Sequence, residues 1–186
     1  MIEKAEEIFS SFMSSLWLDL TDPSLKNTPK RVARMFVNEI CSWLYQEPPE
    51  ITTFPNSWDD AYDWMVLVKD IEVKSLCEHH FQPFVWKAYI AYIPADRVVW
   101  LSKFSRIVKY WSKRPQVQER LTMQIYNHLK EVLWTDDIAI VISSEHFCMK
   151  LRWVEEPCSS TTTSKIWWRF FTDAKVREEF YHLISK

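Results

Sequence analysis

The sequence predicts an α+β fold, in which an antiparallel sheet is built from two strand pairs in the order β-β-α-α-β-β. Two β-rich runs, 65–73 and 84–93, lie near the middle of the chain, and two helical patterns separate them from a second pair of β-rich runs. We expect the helices to group on one side of the sheet, with further helices at the N terminus. The 186 residues suffice for one substantial core.

The chain is predicted to be a single structural domain with an N-terminal helical region, 1–60, and a larger region, 61–186, that carries the chemistry. Residues 2–18 have apolar side chains at helical spacing, which predicts an amphipathic helix. A second helix is expected to start with Thr28 as N-cap and Pro29 at N1, and to run to about Leu44.

The larger region is expected to contain six further elements after its first strand pair. Ser102 is predicted to cap one helix and Pro115 to occupy N1 of the next. The elements are helices at 102–111 and 115–133, strands at 138–144, 148–154 and 161–171, and a final helix at 173–184.

The composition excludes several classes of protein. Hydrophobic residues make up 47% and charged residues 26%, and the net charge is -2, which gives no reason to expect a nucleic acid or an anionic membrane as partner. No run approaches the roughly 18 apolar residues of a membrane span, and the acidic N-terminal segment is unlike a secretory leader. We therefore expect a cytoplasmic protein whose four cysteines are thiols or metal ligands.

Two cysteine–histidine pairs are candidate metal ligands. Cys77 and His80 have C-x-x-H spacing, and His146 and Cys148 have H-x-C spacing, which on an extended strand would place both side chains on one face. Cys77, His80 and Cys148 would offer two thiolates and one imidazole, a set that suits Zn²⁺ and leaves a fourth position for water. The alternative is that these are ordinary buried thiols, because a lone C-x-x-H is a weak pattern.

Two further histidines adjoin the proposed ligands. His79 and His146 are not needed to complete a three-ligand set, so they are candidates for proton transfer near neutral pH. The alternative is that they support the ligands. Of the other candidates, we expect helix-surface positions for His128 and His182, a core position for Cys41, and no partner for Cys158.

Two groups of polar residues are candidate ligand contacts. One helical stripe carries hydroxyl and cationic side chains and is interpreted as an anion or polyphosphate clamp, or alternatively as a solvated helix face. Glu119, with Gln118, has acceptors that match a guanine edge, although a surface pair with Arg120 is the alternative. The stripe consists of Ser102, Lys103, Arg106, Lys109 and Lys113.

Four segments together resemble the GTP cyclohydrolase I family. They are 75–81, 101–103, 114–122 and 146–148, which read SLCEHHF, LSK, RPQVQERLT and HFC. The resemblance extends from TPKRVA at 28–33 to the C-terminal helix. It implies the tunnelling fold, in which subunits form a ring whose sheets make a barrel, two pentamers stack into a decamer, and active sites lie at subunit boundaries.

The resemblance also implies roles for individual residues. Zinc would bind Cys77, His80 and Cys148, and its bound water would attack C8 of GTP. Glu119 and Gln118 would anchor guanine, and His146 and His79 would handle protons. Ser102, Lys103, Arg106 and Arg152 would hold the triphosphate, with Arg31 from a neighbouring subunit. A second hydrolysis would release formate, and rearrangement would give 7,8-dihydroneopterin triphosphate.

Two alternatives to this function remain open. One is another tunnelling-fold purine or pterin enzyme, such as the nitrile reductase of queuosine synthesis, which needs a cysteine nucleophile and nicotinamide but not three zinc ligands. The other is a metal-stabilised oligomeric binding protein without turnover. Measurement of bound zinc would distinguish the nitrile reductase from a zinc-dependent hydrolase. Formate release from GTP would distinguish the hydrolase from a binding protein without turnover.

The composition has one abnormal feature, which is that the chain contains no glycine and 11 tryptophans. About 13 glycines would be usual at this length. The family pattern has glycine where this chain has tryptophan at several positions, so we hypothesise that the chain is an altered natural enzyme with tryptophan in place of glycine. These positions are Trp17, Trp43, Trp86, Trp100, Trp134, Trp153, Trp167 and Trp168.

Overall fold

The computed structural model describes residues 1–57, 61–151 and 156–186. By its internal contacts the chain divides into two compact units, Met1–Gln46 and Glu47–Lys186. The proline-containing segment that follows Gln46 therefore belongs to the second unit. Among the described residues, every helix is too short or too polar to cross a membrane.

The first unit contains two α-helices, α1 at Ile2–Ser15 and α2 at Thr28–Met35. The predicted N-cap is wrong by one residue, because Asn27 caps α2 and Thr28 is its first residue. The Thr28 N–H already bonds the Leu25 carbonyl at 2.8 Å, so the chain turns before the predicted cap. The predicted extension to Leu44 is also interrupted, because a π-helical turn and a 3₁₀ turn follow Met35.

The second unit is organised around a five-stranded sheet in the order β5-β2-β3-β6-β7, and a separate strand pair is formed by β1 and β4. All neighbours pair antiparallel except β2 and β5, which are parallel. The strands are β1 Thr53–Pro55, β2 Val66–Cys77, β3 Pro83–Tyr92, β4 Arg97–Val99, β5 Pro115–Gln116, β6 Ile138–His146 and β7 Thr161–Ile166.

The helices of the second unit pack on both faces of this sheet. Alternate residues of β3 and β6 point to opposite faces, which gives two buried clusters. The helices are α3 Ser102–Ser112, α4 Gln118–Leu133, α5 Phe147–Lys150, α6 Arg169–Thr172 and α7 Ala174–Ile184. On one face, β3 and β6 pack against α3 and α4, as predicted. On the other face they pack against α6 and α7, so the helices do not all group on one side of the sheet.

The fourth strand of the predicted β-β-α-α-β-β pattern was expected at 148–154 but lies later in the chain. The predicted strand at 148–154 is wrong, because α5 occupies its start, where the Leu151 N–H bonds the Phe147 carbonyl at 2.9 Å, and 152–155 lie outside the described residues. The strand that pairs with β6 is β7, in a register that runs from Ser144 opposite Thr161 to Ala139 opposite Ile166. The strand predicted at 161–171 therefore supplies the fourth strand and ends early.

Two predicted helix starts in the second unit are also wrong. Pro115 does not begin a helix but lies in β5, opposite Leu76 of β2. This pairing keeps the chain extended, so α4 begins only at Gln118. Ser102 is the first residue of α3 rather than its cap, which is Leu101.

Tryptophan occupies three of the five described positions that have positive φ. The φ values are 63° at Trp17, 52° at Trp134 and 48° at Trp168, and the other two residues are Asp70 and Phe81. Trp134 ends α4 in the left-handed region. A β-carbon is disfavoured in this region, which glycine adopts at little cost. Trp153 lies outside the described residues.

Candidate active site

The structure brings the three predicted metal ligands together from three different elements. Cys77 is the last residue of β2, His80 lies in the turn that follows, and Cys148 is in α5. Their ligand atoms all lie within 4.8 Å of one another, and Cys77 Sγ is 4.0 Å from His80 Nδ1. Both thiols are buried and His80 is exposed. The convergence is as predicted, and two sulfurs with one imidazole form a donor set that fits zinc.

A tight turn between β2 and β3 sets the spacing of Cys77 and His80. The last paired residues of the two strands are Leu76 and Pro83. Inside them, the Cys77 N–H bonds the Gln82 carbonyl at 2.8 Å, and the Phe81 N–H bonds the Cys77 carbonyl at 2.9 Å. Cys77 thus ends a strand rather than lying in the connection, and the turn carries His80 back towards its thiol.

Cys148 lies on a different kind of element from the one that the sequence predicted. The H-x-C pair does not lie on one extended strand, because β6 ends at His146 and Cys148 is on the helical turn of α5. The His146 ring stacks on Phe84 with 4.7 Å between ring centroids and 11° between ring planes. Cys148 packs in the same buried cluster as Cys77 and Phe84.

Glu78, which the sequence analysis did not identify, connects the ligand turn to α4. Its carboxylate forms an ion pair with Arg120, and its N–H bonds the Gln116 carbonyl at 3.1 Å. Arg120 Nε also donates to Gln116 Oε1 at 3.1 Å. These bonds link β5 and α4 to the turn that follows Cys77 and contains His80. Sequence spacing gives no signal for them, because Arg120 is 42 residues from Glu78.

The side chain of Gln118 is buried and makes hydrogen bonds from both ends of its amide. Gln118 is only 1% exposed. Its Nε2 donates to the carbonyls of Ile142 and Thr161, each at 3.0 Å, and to Thr163 Oγ1 at 3.1 Å. Its Oε1 is 2.7 Å from His146 Nε2. The amide atoms predicted to contact guanine are therefore used within the chain.

His146 is partly buried, whereas Glu119 is exposed at the start of α4. Burial lowers the pKa of the His146 imidazole, and the negative charge of Glu119 opposes that shift.

His79 lies at the surface beside the candidate ligands. Its Nδ1 is 4.0 Å from Cys77 Sγ, and its ring centroid is 6.3 Å from that of His80. A cavity of about 380 Å³ adjoins this group. The cavity is lined by His80, Gln82, Phe147 and Leu151.

The predicted anion-binding residues are divided among separate places. Ser102 and Arg106 are exposed on α3, and Lys103 Nζ donates to the Glu50 carbonyl at 3.0 Å. Arg31 is exposed on α2 in the first unit, whereas Arg152 lies outside the described residues. The helical stripe is divided too: its other two cations, Lys109 and Lys113, line a cavity of about 200 Å³ with Glu72 and Lys74 of β2.

The remaining histidines and cysteines mostly follow the sequence prediction. His182 is exposed, Cys41 is buried and Cys158 is exposed, and burial raises the pKa of the Cys41 thiol. The surface position predicted for His128 is wrong. Its ring is partly buried between α3 and α4, where its Nδ1 accepts a hydrogen bond from Trp111 Nε1 at 3.1 Å.

The chain is similar to one protein family along almost its whole length. The family model described as GTP cyclohydrolase I matches residues 5–185. GTP cyclohydrolase 1 of Flavobacterium johnsoniae is 45% identical over 185 residues, which cover 99% of this chain and 82% of that protein. GTP cyclohydrolase 1 of Aeromonas salmonicida is 46% identical over 179 residues, which cover 96% of this chain and 81% of that protein.

Among solved structures, the chain is similar to the archaeosine synthase QueF-Like in the apo form, with a TM-score of 0.43 and 16% identity. That match covers 54% of this chain and 90% of the other.

Proposed function

The chain belongs to the GTP cyclohydrolase I family, and from this membership we propose that it hydrolyses GTP to formate and 7,8-dihydroneopterin triphosphate. The observation that carries the proposal is the convergence of Cys77, His80 and Cys148, whose ligand atoms could hold one metal ion. These three residues, like His146 and Glu119, match motifs of the family, and the resemblance implies that they serve as metal ligands, proton carrier and guanine anchor.

Zinc is the metal that this donor set favours. Cys77, His80 and Cys148 would hold it with two sulfurs and one nitrogen, and three protein ligands are typical of catalytic rather than structural zinc sites. When bound, zinc supplies Lewis acidity that activates water at neutral pH. The Glu78–Arg120 ion pair supports the assignment, because it links α4 to the turn between Cys77 and His80.

The side chains around the ligands fit the proton and binding steps of the reaction. The exposed carboxylate of Glu119 would accept two N–H groups from the guanine edge. One water adds at C8 and opens the imidazole ring, a second hydrolyses the resulting formamide to release formate, and closure of the pterin ring returns one water. His146, held flat against Phe84, and His79 at the surface would carry protons in these steps.

The triphosphate would be bound by Ser102, Lys103 and Arg106 together with Arg152 and Arg31. The family resemblance implies that Arg31 comes from a neighbouring subunit, so the site would be completed at a subunit boundary. We therefore include in the proposal a homo-oligomeric ring, with two pentamers stacked as a decamer.

One experiment tests this function against its alternatives. The purified chain is incubated with GTP, formate is quantified, and zinc is measured on the same sample. We expect about one zinc per chain and formate release that depends on it. Zinc without formate release would instead support a metal-stabilised binding protein. Absence of zinc together with nicotinamide-dependent nitrile reduction would support the nitrile reductase.

A further inference from the structure

The hydrogen bonds of Gln118 fix which end of its amide faces His146. Carbonyl oxygens accept hydrogen bonds and cannot donate them, so the atom that faces the carbonyls of Ile142 and Thr161 must be the amide nitrogen. The opposite orientation would place an oxygen 3.0 Å from two other acceptors. The amide oxygen of Gln118 therefore faces His146.

Two hydroxyl groups reinforce this orientation. Thr122 Oγ1 donates to the backbone carbonyl of Gln118 at 3.0 Å, and it is 2.8 Å from Thr163 Oγ1. Since the Thr122 hydrogen is used, the hydrogen between the two hydroxyls comes from Thr163. This leaves a lone pair on Thr163 Oγ1 for the amide nitrogen of Gln118, at 3.1 Å.

The same logic assigns a hydrogen to one nitrogen of His146. An amide oxygen only accepts, so the 2.7 Å contact between Gln118 Oε1 and His146 Nε2 requires that Nε2 carry the hydrogen. In a neutral imidazole the other nitrogen, Nδ1, then has the free lone pair. Nδ1 makes no hydrogen bond to any residue that the structure describes.

We propose that Gln118 is a positioning residue that holds His146 in the Nε2–H tautomer and so leaves the lone pair of the ring on Nδ1 during GTP hydrolysis. The part concerning GTP rests on the proposed function, whereas the tautomer rests on the hydrogen bonds alone. Gln118 would then act through His146 rather than by contacting guanine.

The tautomer can be measured without substrate. The zinc-loaded full chain is labelled with ¹⁵N-histidine, and imidazole nitrogen shifts are recorded at about pH 8, where a typical histidine is neutral. His146 is assigned by comparison with His146→Gln. We expect a protonated Nε2 and an unprotonated Nδ1 in the unaltered chain, and a mixture of tautomers in Gln118→Met.

Gln116→Met is the matched control for losing a buried amide. Gln116 is also 1% exposed, and its amide bonds the Trp111 carbonyl, Gln124 Oε1 and Arg120 Nε, but it makes no hydrogen bond to His146 among the described residues. This variant should keep the His146 tautomer. Gln118→Asn is a second test variant, because it retains an amide that is one methylene too short to reach His146.

Kinetics separate positioning from guanine binding. Gln118→Met should lower kcat for formate release by about 10–100-fold, the usual effect of losing a residue that orients a functional histidine, and leave KM for GTP unchanged. A raised KM with unchanged kcat would overturn the proposal in favour of a guanine contact.

The NMR spectra test the tautomer of His146 independently of turnover. An Nδ1–H tautomer in the unaltered chain, or an unchanged tautomer in a folded Gln118 variant, would also overturn the proposal. If the tautomers behave as expected but the unaltered chain releases no formate, the proposed GTP hydrolysis fails while the tautomer assignment stands.

Discussion

Cys148 is the residue on which the metal assignment most depends, because it is the candidate ligand that comes from a distant part of the chain. Cys148→Ser replaces a thiolate with a hydroxyl, which is a poor zinc ligand at neutral pH. We expect zinc content to fall well below one per chain and formate release to be abolished, as measured by elemental analysis and a formate assay. Cys158→Ser is the control, since that thiol is exposed. Retention of zinc and turnover by Cys148→Ser would refute the assignment.

Trp134 is the clearest position at which to test the exchange of glycine for tryptophan. Its φ of 52° and ψ of 32° are left-handed, and its side chain is 81% exposed, so Trp134→Gly relieves the backbone and removes little packing. We expect stability to increase by about 1–2 kcal/mol, which raises Tm by a few degrees in thermal unfolding.

Trp111→Gly provides the matched control for that substitution. Trp111 lies inside α3 and donates a hydrogen bond to His128, so glycine there should destabilise the chain by roughly 1 kcal/mol or more. If both substitutions lowered Tm equally, strain at Trp134 would not explain its effect.

At the scale of elements, the contact between α3 and α4 contains a histidine that must stay neutral. Burial lowers the pKa of His128 below its ordinary value of 6.5, and the charge of Glu131 opposes the shift. The unfolded chain therefore binds this proton at a higher pH than the folded chain. The contribution to stability is complete above about pH 6.5 and is lost as the pH falls through the lower pKa of the folded state.

His128→Gln tests this dependence, because glutamine stays neutral and its oxygen can still accept the bond from Trp111. Urea unfolding at about pH 7.5 and about pH 5.5 should show a smaller loss of stability in the variant than in the unaltered chain. An equal loss in both would show that His128 does not titrate on unfolding.

Local sequence patterns predicted some elements well and others poorly, for identifiable reasons. Apolar periodicity located α4 and α7, and Asp173 caps α7 by accepting bonds from the N–H groups of Lys175 and Val176. Residues 148–150 were misassigned because a β-rich composition does not reveal that a single helical turn follows β6. Pro115 was misassigned because its strand depends on pairing with β2, which is distant in sequence.

At the scale of the whole molecule, the sheet has open edges that fit the proposed ring. Within the described chain, β7 pairs only with β6, and β2 has a second neighbour only at its last two residues. Open strand edges favour pairing with another chain. We expect light scattering to give five or ten times the 22.5 kDa mass of one chain. A monomer mass at micromolar concentration would contradict the proposed assembly.

The candidate site was predictable only in part from the sequence. The C-x-x-H and H-x-C spacings suggested Cys77, His80 and Cys148, and the order of the motifs strengthened that set, although the position of Cys148 on a helical turn was not foreseen. The partners of Gln118 lie 24 to 45 residues away, so its hydrogen bonds depend on how β6, β7 and α4 pack. Such contacts follow from tertiary structure and leave no local pattern.

The position of strand β6 predicts that His146 and the turn between Cys77 and His80 would respond differently when metal is removed. Strand β6 is flanked on both sides by β3 and β7, and it ends at His146, whereas Cys77 and His80 sit at a hairpin tip. Chelation should therefore loosen the hairpin while the imidazole keeps its amide partner. In hydrogen–deuterium exchange, the metal-free chain would then show rapid labelling around 77–82 and slow labelling along 138–146.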